Sequence, residues 1–231
     1  MTSIDVKVIS IESLTETVTK IILETNQQSS FKAGQYLQVV MGENDKRPFS
    51  IANAPNVKGI IELHIGATPD NPYAYEVLQL ASNTKKLKVE IGLGEAYVRE
   101  SDKTMVIIAG GTGYSYAKSI LLDTLANQTK RQINLYWGAK TQADLYELAE
   151  LNALAKTQAN FSFHPVVEIA NTDWQGHVGL VHHAVLSDFN DLSLIDLYVA
   201  GRFEMAAVIK EVFTAKGLPL TSLYGDAFTY L

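Results

Sequence analysis

Three glycines in four residues, Gly110, Gly111 and Gly113, lie in Ala109-Gly110-Gly111-Thr112-Gly113-Tyr114-Ser115, between an apolar run and a segment of helical periodicity. Glycines at such a junction let the backbone turn tightly and approach a ligand closely. A helix that starts immediately afterwards presents unpaired N–H groups and a partial positive charge, both suited to a phosphate. An ordinary strand–helix turn has the same composition. The strict dinucleotide fingerprint is not met: counted from Gly111 it needs glycine at 116, where Tyr116 stands. No acidic residue closes the next strand, at Trp137-Gly138-Ala139-Lys140, to hold a ribose. G-x-x-x-x-G-K-[ST] is absent, which argues against a P-loop triphosphatase. A pyridine nucleotide held by a different α/β arrangement stays open.

Arg47-Pro48-Phe49-Ser50 offers a planar guanidinium for a phosphate and, three residues on, a hydroxyl able to hydrogen-bond a heteroaromatic ring. As a plain strand entry, Pro48 would fix φ, Phe49 would pack inward and Arg47 would be solvated. Ala200-Gly201-Arg202-Phe203-Glu204-Met205 ends an apolar run and opens a helix. Ligands of open α/β sheets bind outside the carboxyl ends of strands. The C-terminal Tyr224-Gly225-Asp226-Ala227-Phe228-Thr229-Tyr230-Leu231 carries rings that can cover a flat ligand or pack on their own domain. Lys140 can meet a 2′-phosphate as a point charge or stand as a surface lysine. The histidines suggest no site. His64 has no evident carboxylate partner, His182 and His183 point to different faces of one helix, and H-E-x-x-H is absent. No metal site is expected.

Two kinds of element must position these residues. Residues 1–100 read as short strands: Asp5–Ile11, Val18–Glu24, Tyr36–Met41, Phe49–Asn53, Ile60–Ile65 and Leu87–Ile91. Turn compositions at Asn26–Ser30, Gly42–Lys46 and Ala54–Asn56 separate them, and one helix, Tyr73–Leu80, interrupts them. This spacing predicts an antiparallel six-stranded β-barrel. From Thr104 onward strands and helices alternate. The strands are Thr104–Ala109, Gln132–Trp137, Phe161–Val167, Ile195–Ala200 and a last one near Ser222–Tyr224. The helices are Ser115–Ala126, Ala143–Leu154, Leu180–Leu186 and Phe203–Lys216. That alternation predicts a C-terminal α/β parallel-sheet nucleotide-binding domain with helices on both faces. A boundary is expected at the polar stretch Arg99–Lys103, giving domains of 1–100 and 101–231.

Composition bounds the rest. The 231 residues are 47% hydrophobic and carry a net charge of -6, so a polyanion partner such as nucleic acid is not expected. The absence of cysteine excludes a disulfide framework, thiolate zinc, Cys-ligated iron–sulfur clusters and a catalytic thiol. No apolar run approaches the ~18–20 residues that span a bilayer, and the first residues lack signal-peptide character. A cytoplasmic protein is expected.

In order, the segments Gly34-Gln35-Tyr36, Arg47-Pro48-Phe49-Ser50, Glu62-Leu63-His64-Ile65-Gly66, Gly110-Gly111-Thr112-Gly113, Tyr136-Trp137-Gly138, Ala200–Met205 and Gly225-Asp226-Ala227-Phe228 resemble the ferredoxin–NADP reductase superfamily. Within it the chain is most similar to the NAD(P)H-flavin reductases of luminous bacteria. The resemblance implies that Arg47, Pro48, Phe49, Ser50, Leu63, His64, Ile65, Gly66 and Phe228 contact flavin. Ser50 would meet the ring nitrogen that accepts hydride, and Arg47 the phosphate side. It implies that Gly110, Gly111, Thr112, Gly113, Tyr114 and Ser115, with Lys140, Gly201, Arg202, Phe203 and Met205, hold NADH or NADPH. Many relatives carry cysteine where this chain has Ala200. Relatives that keep FAD bind its pyrophosphate with a small-residue loop, which Asn71–Val77 lacks. Flavin (FMN, riboflavin or FAD) is therefore expected as a substrate that leaves after reduction for a monooxygenase, luciferase or ferric acceptor. The alternative is a reductase that retains flavin and serves a protein partner.

Overall fold

The computed structural model describes residues 2–25, 30–127 and 130–231. The turn expected at Asn26–Ser30 lies, except for Ser30, outside the described residues. Strands β1 (Ile4–Ser13), β2 (Val18–Glu24), β3 (Tyr36–Gly42), β4 (Asp45–Ser50), β5 (Ile60–Gly66) and β6 (Lys86–Leu93) form a sheet in the order β4-β3-β6-β1-β2-β5. Every pairing in it is antiparallel. Alternate residues such as Ile21, Leu23, Leu37, Val39, Leu63 and Val89 point into one core. β4 and β5 are the two edges, and the chain beyond β4 joins them. The Ala52 N–H donates to the Glu62 carbonyl at 2.8 Å. Asn53 accepts from the Glu62 N–H at 2.8 Å and donates to the Ile60 carbonyl at 3.0 Å. The sheet thereby curls into the expected barrel. Helix α1 (Pro72–Thr84) packs Ala74, Val77 and Ala81 on its core. Pro72 suits the first helical turn, where its missing N–H costs nothing.

The second sheet contains β7 (Thr104–Gly110), β8 (Ile133–Ala139), β9 (Phe161–Val167), β10 (His177–Val178), β11 (Ile195–Ala200) and β12 (Leu223–Tyr224). Its order is β10-β9-β8-β7-β11-β12, all parallel. β7 is an unbroken apolar run because both faces are covered. Helices α2 (Tyr114–Asn127) and α3 (Leu148–Thr157) cover the face of Met105, Ile107 and Leu135. Helices α4 (Val181–Asp188) and α5 (Phe203–Ala215) cover that of Val106, Ile108 and Leu197. The strand order reverses between β7 and β11, the position where open α/β sheets form a ligand crevice.

α2 also docks on the barrel, so it is buried on two sides. The Tyr116 hydroxyl donates to the Ala96 carbonyl at 2.6 Å and the Ser119 hydroxyl to the Asn53 carbonyl at 2.8 Å. The chain between the sheets is tied by Arg131, which donates to the Arg99 and Lys103 carbonyls and pairs with buried Asp196 at 2.6 Å. Among the described residues no helix is long and apolar enough to cross a membrane.

Three expectations about elements need correction. The strand expected at Phe49–Asn53 is Asp45–Ser50, so the polar Asp45-Lys46 pair opens a strand rather than a turn. The helix expected at Ala143–Leu154 is broken: a 3-10 turn at Gln142–Asp144 closes on a capping box between Thr141 and Asp144, and α3 starts only at Leu148. β10, two residues long, carries too short a pattern to be seen in sequence.

Candidate active site

The glycine loop leaves β7 at the crevice. Gly111 has φ +53°, and nothing lies within 4 Å of where its Cβ would stand. The left-handed backbone, not packing, requires glycine there, and the space beside it is open to a ligand. Gly113 is constrained differently, since a Cβ would collide with the Ala200 carbonyl. The loop therefore packs on the end of β11. Gly110 and Gly201 also meet backbone to backbone, with Met205 over both. The Trp137 indole N–H steadies the loop by donating to the Gly111 carbonyl at 2.9 Å. Just inside α2, the Ser115 hydroxyl is buried without a hydrogen-bond partner. An orphaned hydroxyl behind a helix start fits a loop built for a polar ligand, because such a group is costly to leave unsatisfied. The Tyr114 ring, by contrast, turns into the core, stacked on Trp137 at 3.9 Å, with its hydroxyl donating to Glu147 at 2.7 Å.

The barrel presents its β5 edge to this loop. In β5 the peptides of Glu62 face β4, whereas the Ala67 N–H just beyond the strand bonds back to the Thr17 carbonyl. By alternation the peptide groups of His64 and Gly66 face the β4 side as well. Leu63 and Ile65 point into the core, so any contact they make to a ligand is through the backbone. Across the gap, Ser50 ends β4, half-buried, and its hydroxyl has no partner among the described residues. Phe49 packs on the barrel core and Pro48 is exposed. A Cβ on Gly66 would approach Thr112 Cγ2 to 2.9 Å, so the glycine loop and the β5 edge are in direct contact across the domain junction.

The C-terminal segment reaches the same place. Tyr36 is the register partner of Ser50, and a Cβ on Gly94 would lie 2.9 Å from both the Tyr36 ring and an Asp226 carboxylate oxygen. Burial, reinforced by Glu95, pushes the Asp226 carboxyl up to about 6 against the lowering effect of the Ala96 N–H. Between about pH 4 and 6 the folded chain thus holds a proton that the unfolded chain releases. Stability therefore falls as pH rises through this window, and the cost is complete above it. Asp226→Asn is expected to raise stability by about 1 kcal/mol near pH 8, after allowance for solvent screening, and by nothing below about pH 4. Melting curves of both proteins at the two pH values check this; an equal gain at both would assign the effect to packing.

Other expected site residues lie differently. Arg47 is buried and paired: its guanidinium bonds Asp45 at 2.6 Å, Glu76 of α1 at 2.8 Å and the Tyr73 carbonyl. The hydrogen bond to Asp45 outweighs burial and raises the Arg47 pKa further. Its donors are met by protein acceptors, so it is not the solvated arginine of a plain strand entry. Phe228 is half-buried against the Val199 and Phe213 side of the α/β core. Lys140 is exposed at the end of β8, and Arg202 and Phe203 are exposed at the start of α5. His64 does have a carboxylate partner, contrary to expectation. Glu62, two residues away on the same face of β5, meets its Nε2 at 2.7 Å, and the Tyr146 hydroxyl meets Nδ1 at 3.0 Å.

Those residues belong to a network that spacing alone could not reveal. Lys118 of α2 bridges Glu62 at 2.8 Å and Glu147 at 2.6 Å, next to Tyr114. Burial alone would push the Glu62 carboxyl up, but the His64 hydrogen bond and Lys118 hold it at about 2. The two carboxylates likewise overcome burial to raise the Lys118 pKa. Three elements from both domains are thereby locked beneath the glycine loop.

The oxidoreductase NAD-binding domain family matches residues 107–211, which include the glycine loop, β8 and the Ala200–Met205 turn. In overall fold the chain is similar to a cytochrome P450 reductase from Amycolatopsis, with TM-score 0.87 and 22% identity over 97% of this chain and 69% of that one. It is similar also to a ferredoxin NADP+ reductase from Neisseria gonorrhoeae, with TM-score 0.80 and 17% identity over 94% and 92% of the two chains. A curated NAD(P)H-flavin reductase from Aliivibrio fischeri is 46% identical over 99% of each chain. That similarity covers nearly the full length of both chains, and the chain belongs to the NAD(P)H-flavin reductase family.

Proposed function

We propose that this chain reduces free flavin by hydride transfer from NADH or NADPH at the junction of its two sheets. The observation that carries the reading is the contact of Gly66 with Thr112, which sets the β5 edge of the barrel against the glycine loop. When bound, the nicotinamide supplies the hydride and the flavin ring accepts it. The protein contributes alignment, which can replace much of the entropy cost of bringing two ring systems into contact. Ser50 orients the acceptor ring by a hydrogen bond, and the His64 and Gly66 peptide groups offer donors and acceptors to its polar edge. The loop 110–113 and the start of α2 receive the dinucleotide phosphates, with Gly201 to Met205 beside the nicotinamide. Domain limits of 1–100 and 101–231 divide these roles. The test is loss of reduced-nicotinamide absorbance when free flavin is added to the purified chain. No flavin-dependent loss with either coenzyme would refute the reading.

Flavin is held weakly and leaves as product. Arg47, the buried cation next to Pro48-Phe49-Ser50, is already engaged by two carboxylates, and Asn71–Val77 supplies Glu76 where a phosphate loop would be needed. Reduced flavin then passes to a diffusible acceptor such as a monooxygenase, a luciferase or a ferric complex, in the cytoplasm. Glu76→Gln is expected to lower the Michaelis constant for FMN by about two- to fivefold and leave that for riboflavin unchanged, because Glu76 is half-exposed and such pairs contribute about 1 kcal/mol or less. Equal changes for both flavins would remove Arg47 and Glu76 from phosphate discrimination.

Both coenzymes are accepted within about tenfold, since no carboxylate closes β8 to repel a 2′-phosphate. Lys140→Ala is expected to weaken NADPH use by a few fold and spare NADH, an exposed contact contributing about 1 kcal/mol at most. Equal losses with the two coenzymes would show that Lys140 does not read the 2′-phosphate.

A further inference from the structure

We propose that His164, His177 and Asp188 form a binding site for one divalent transition metal ion of the zinc class. The site lies at the far edge of the parallel sheet, built from β9, β10 and the end of α4, with β8 between it and the glycine-loop strand. His164 Nδ1 stands 3.7 Å and His177 Nε2 3.6 Å from the same Asp188 oxygen. The three donor atoms lie within 4.8 Å of one another. Metal–ligand bonds of about 2.0–2.2 Å place neighbouring donors of a tetrahedral ion about 3.4 Å apart, so closure needs movements of only tenths of an ångström between donor pairs that include Asp188. These separations are too long for hydrogen bonds, so the groups face one another without satisfying one another.

The surroundings are those of a ligand set. His164 Nε2 lies 3.2 Å from the Asn134 amide oxygen, an acceptor. The proton therefore sits on Nε2, and the Nδ1 lone pair of the neutral ring faces Asp188. Stacking on Tyr136 at 4.2 Å fixes that ring, and the Tyr136 hydroxyl donates to Asp188 at 2.7 Å. Both devices orient ligands rather than neutralise them. No lysine or arginine pairs with Asp188 among the described residues. The other carboxylate–imidazole cluster, Glu62, His64 and Glu147, makes the contrast: Lys118 already fills it with a positive charge. The two histidines also border an open recess of about 400 Å³, which leaves room for water to complete the coordination. Two imidazoles and a carboxylate suit zinc, with nickel and copper as chemical relatives, and suit magnesium or calcium poorly.

The experiment uses the full chain, freed of metal with a chelator and titrated with Zn²⁺ by calorimetry. One ion per chain is expected, with a dissociation constant of about micromolar or below, together with a Zn²⁺-dependent rise in melting temperature. His177→Ala, on the half-exposed edge strand, and Asp188→Asn, which keeps an acceptor for Tyr136, should each weaken binding about tenfold or more. Neither should alter turnover with free flavin. His183→Ala, exposed on α4, should bind as the parent does. Absence of saturable binding up to about a hundred micromolar, or saturation that survives His177→Ala unchanged, would overturn the proposal.

Discussion

Replacing Lys118 with methionine is expected to destabilise the protein by about 3–5 kcal/mol at neutral pH, the range for breaking a buried ion pair from one side. Methionine conserves most of the aliphatic stem, so lost packing is a small part of the effect. What remains is two carboxylates, Glu62 and Glu147, each only 16–17% exposed, facing each other without a cation. Exposed pairs contribute about 0–1 kcal/mol and would not matter on this scale. The sign with pH is fixed by the same groups. The depressed Glu62 pKa stabilises the fold above its unfolded value near 4.5 and ceases to as pH falls towards about 2. In the variant that carboxyl rises instead, so the penalty shrinks below about pH 5 as the pair takes up a proton. The triple substitution Lys118→Met, Glu62→Gln, Glu147→Gln should recover much of the loss. Urea unfolding of the parent, single and triple variants measures this. A single-variant loss under about 1 kcal/mol would mean that water, not Lys118, balances the carboxylates.

The pieces of the fold that were legible are those whose pattern is local. β2, β9 and β11 span the same residues, Val18–Glu24, Phe161–Val167 and Ile195–Ala200, that their β-branched and aromatic residues mark in the sequence. Gly113 and Gly201 were visible as glycines between a strand and a helix, although their reasons, contact with the Ala200 carbonyl and with Gly110, were not. The Glu62–His64 pair could have been read from two-residue alternation in β5, since residues two apart share a face. Lys118 and Glu147 could not, because nothing in a sequence says that α2 and the start of α3 meet β5. Asp45 misled for a related reason. Its composition is that of a turn, yet two residues before Arg47 it shares that residue's face and binds it. Asp226 carried a signal in Gly225-Asp226-Ala227-Phe228, but its approach to Tyr36 depends on the C-terminus crossing to the barrel.

Ser50→Ala should lower turnover about tenfold or more while leaving stability within about 0.5 kcal/mol of the parent. The structure separates the two effects. The Ser50 hydroxyl is half-buried at the end of β4 and bonds to no other described residue, so its removal leaves no protein group unsatisfied. The strand itself is held by its pairing with Tyr36 and by Phe49 in the barrel core, neither of which needs the hydroxyl. A hydrogen bond to the accepting ring nitrogen, by contrast, acts on an atom whose charge and hydrogen-bonding change as hydride arrives. Its contribution is therefore larger in the transition state than in the bound ground state. The loss should fall on kcat and kcat/KM together, with the Michaelis constant for flavin changed by no more than about threefold. Steady-state rates with saturating reduced nicotinamide and varied riboflavin measure both quantities, and a melting curve supplies the control. If kcat holds and only the Michaelis constant rises, Ser50 binds flavin without assisting the transfer; if the melting temperature falls with the rate, the hydroxyl has a structural partner and its catalytic assignment fails.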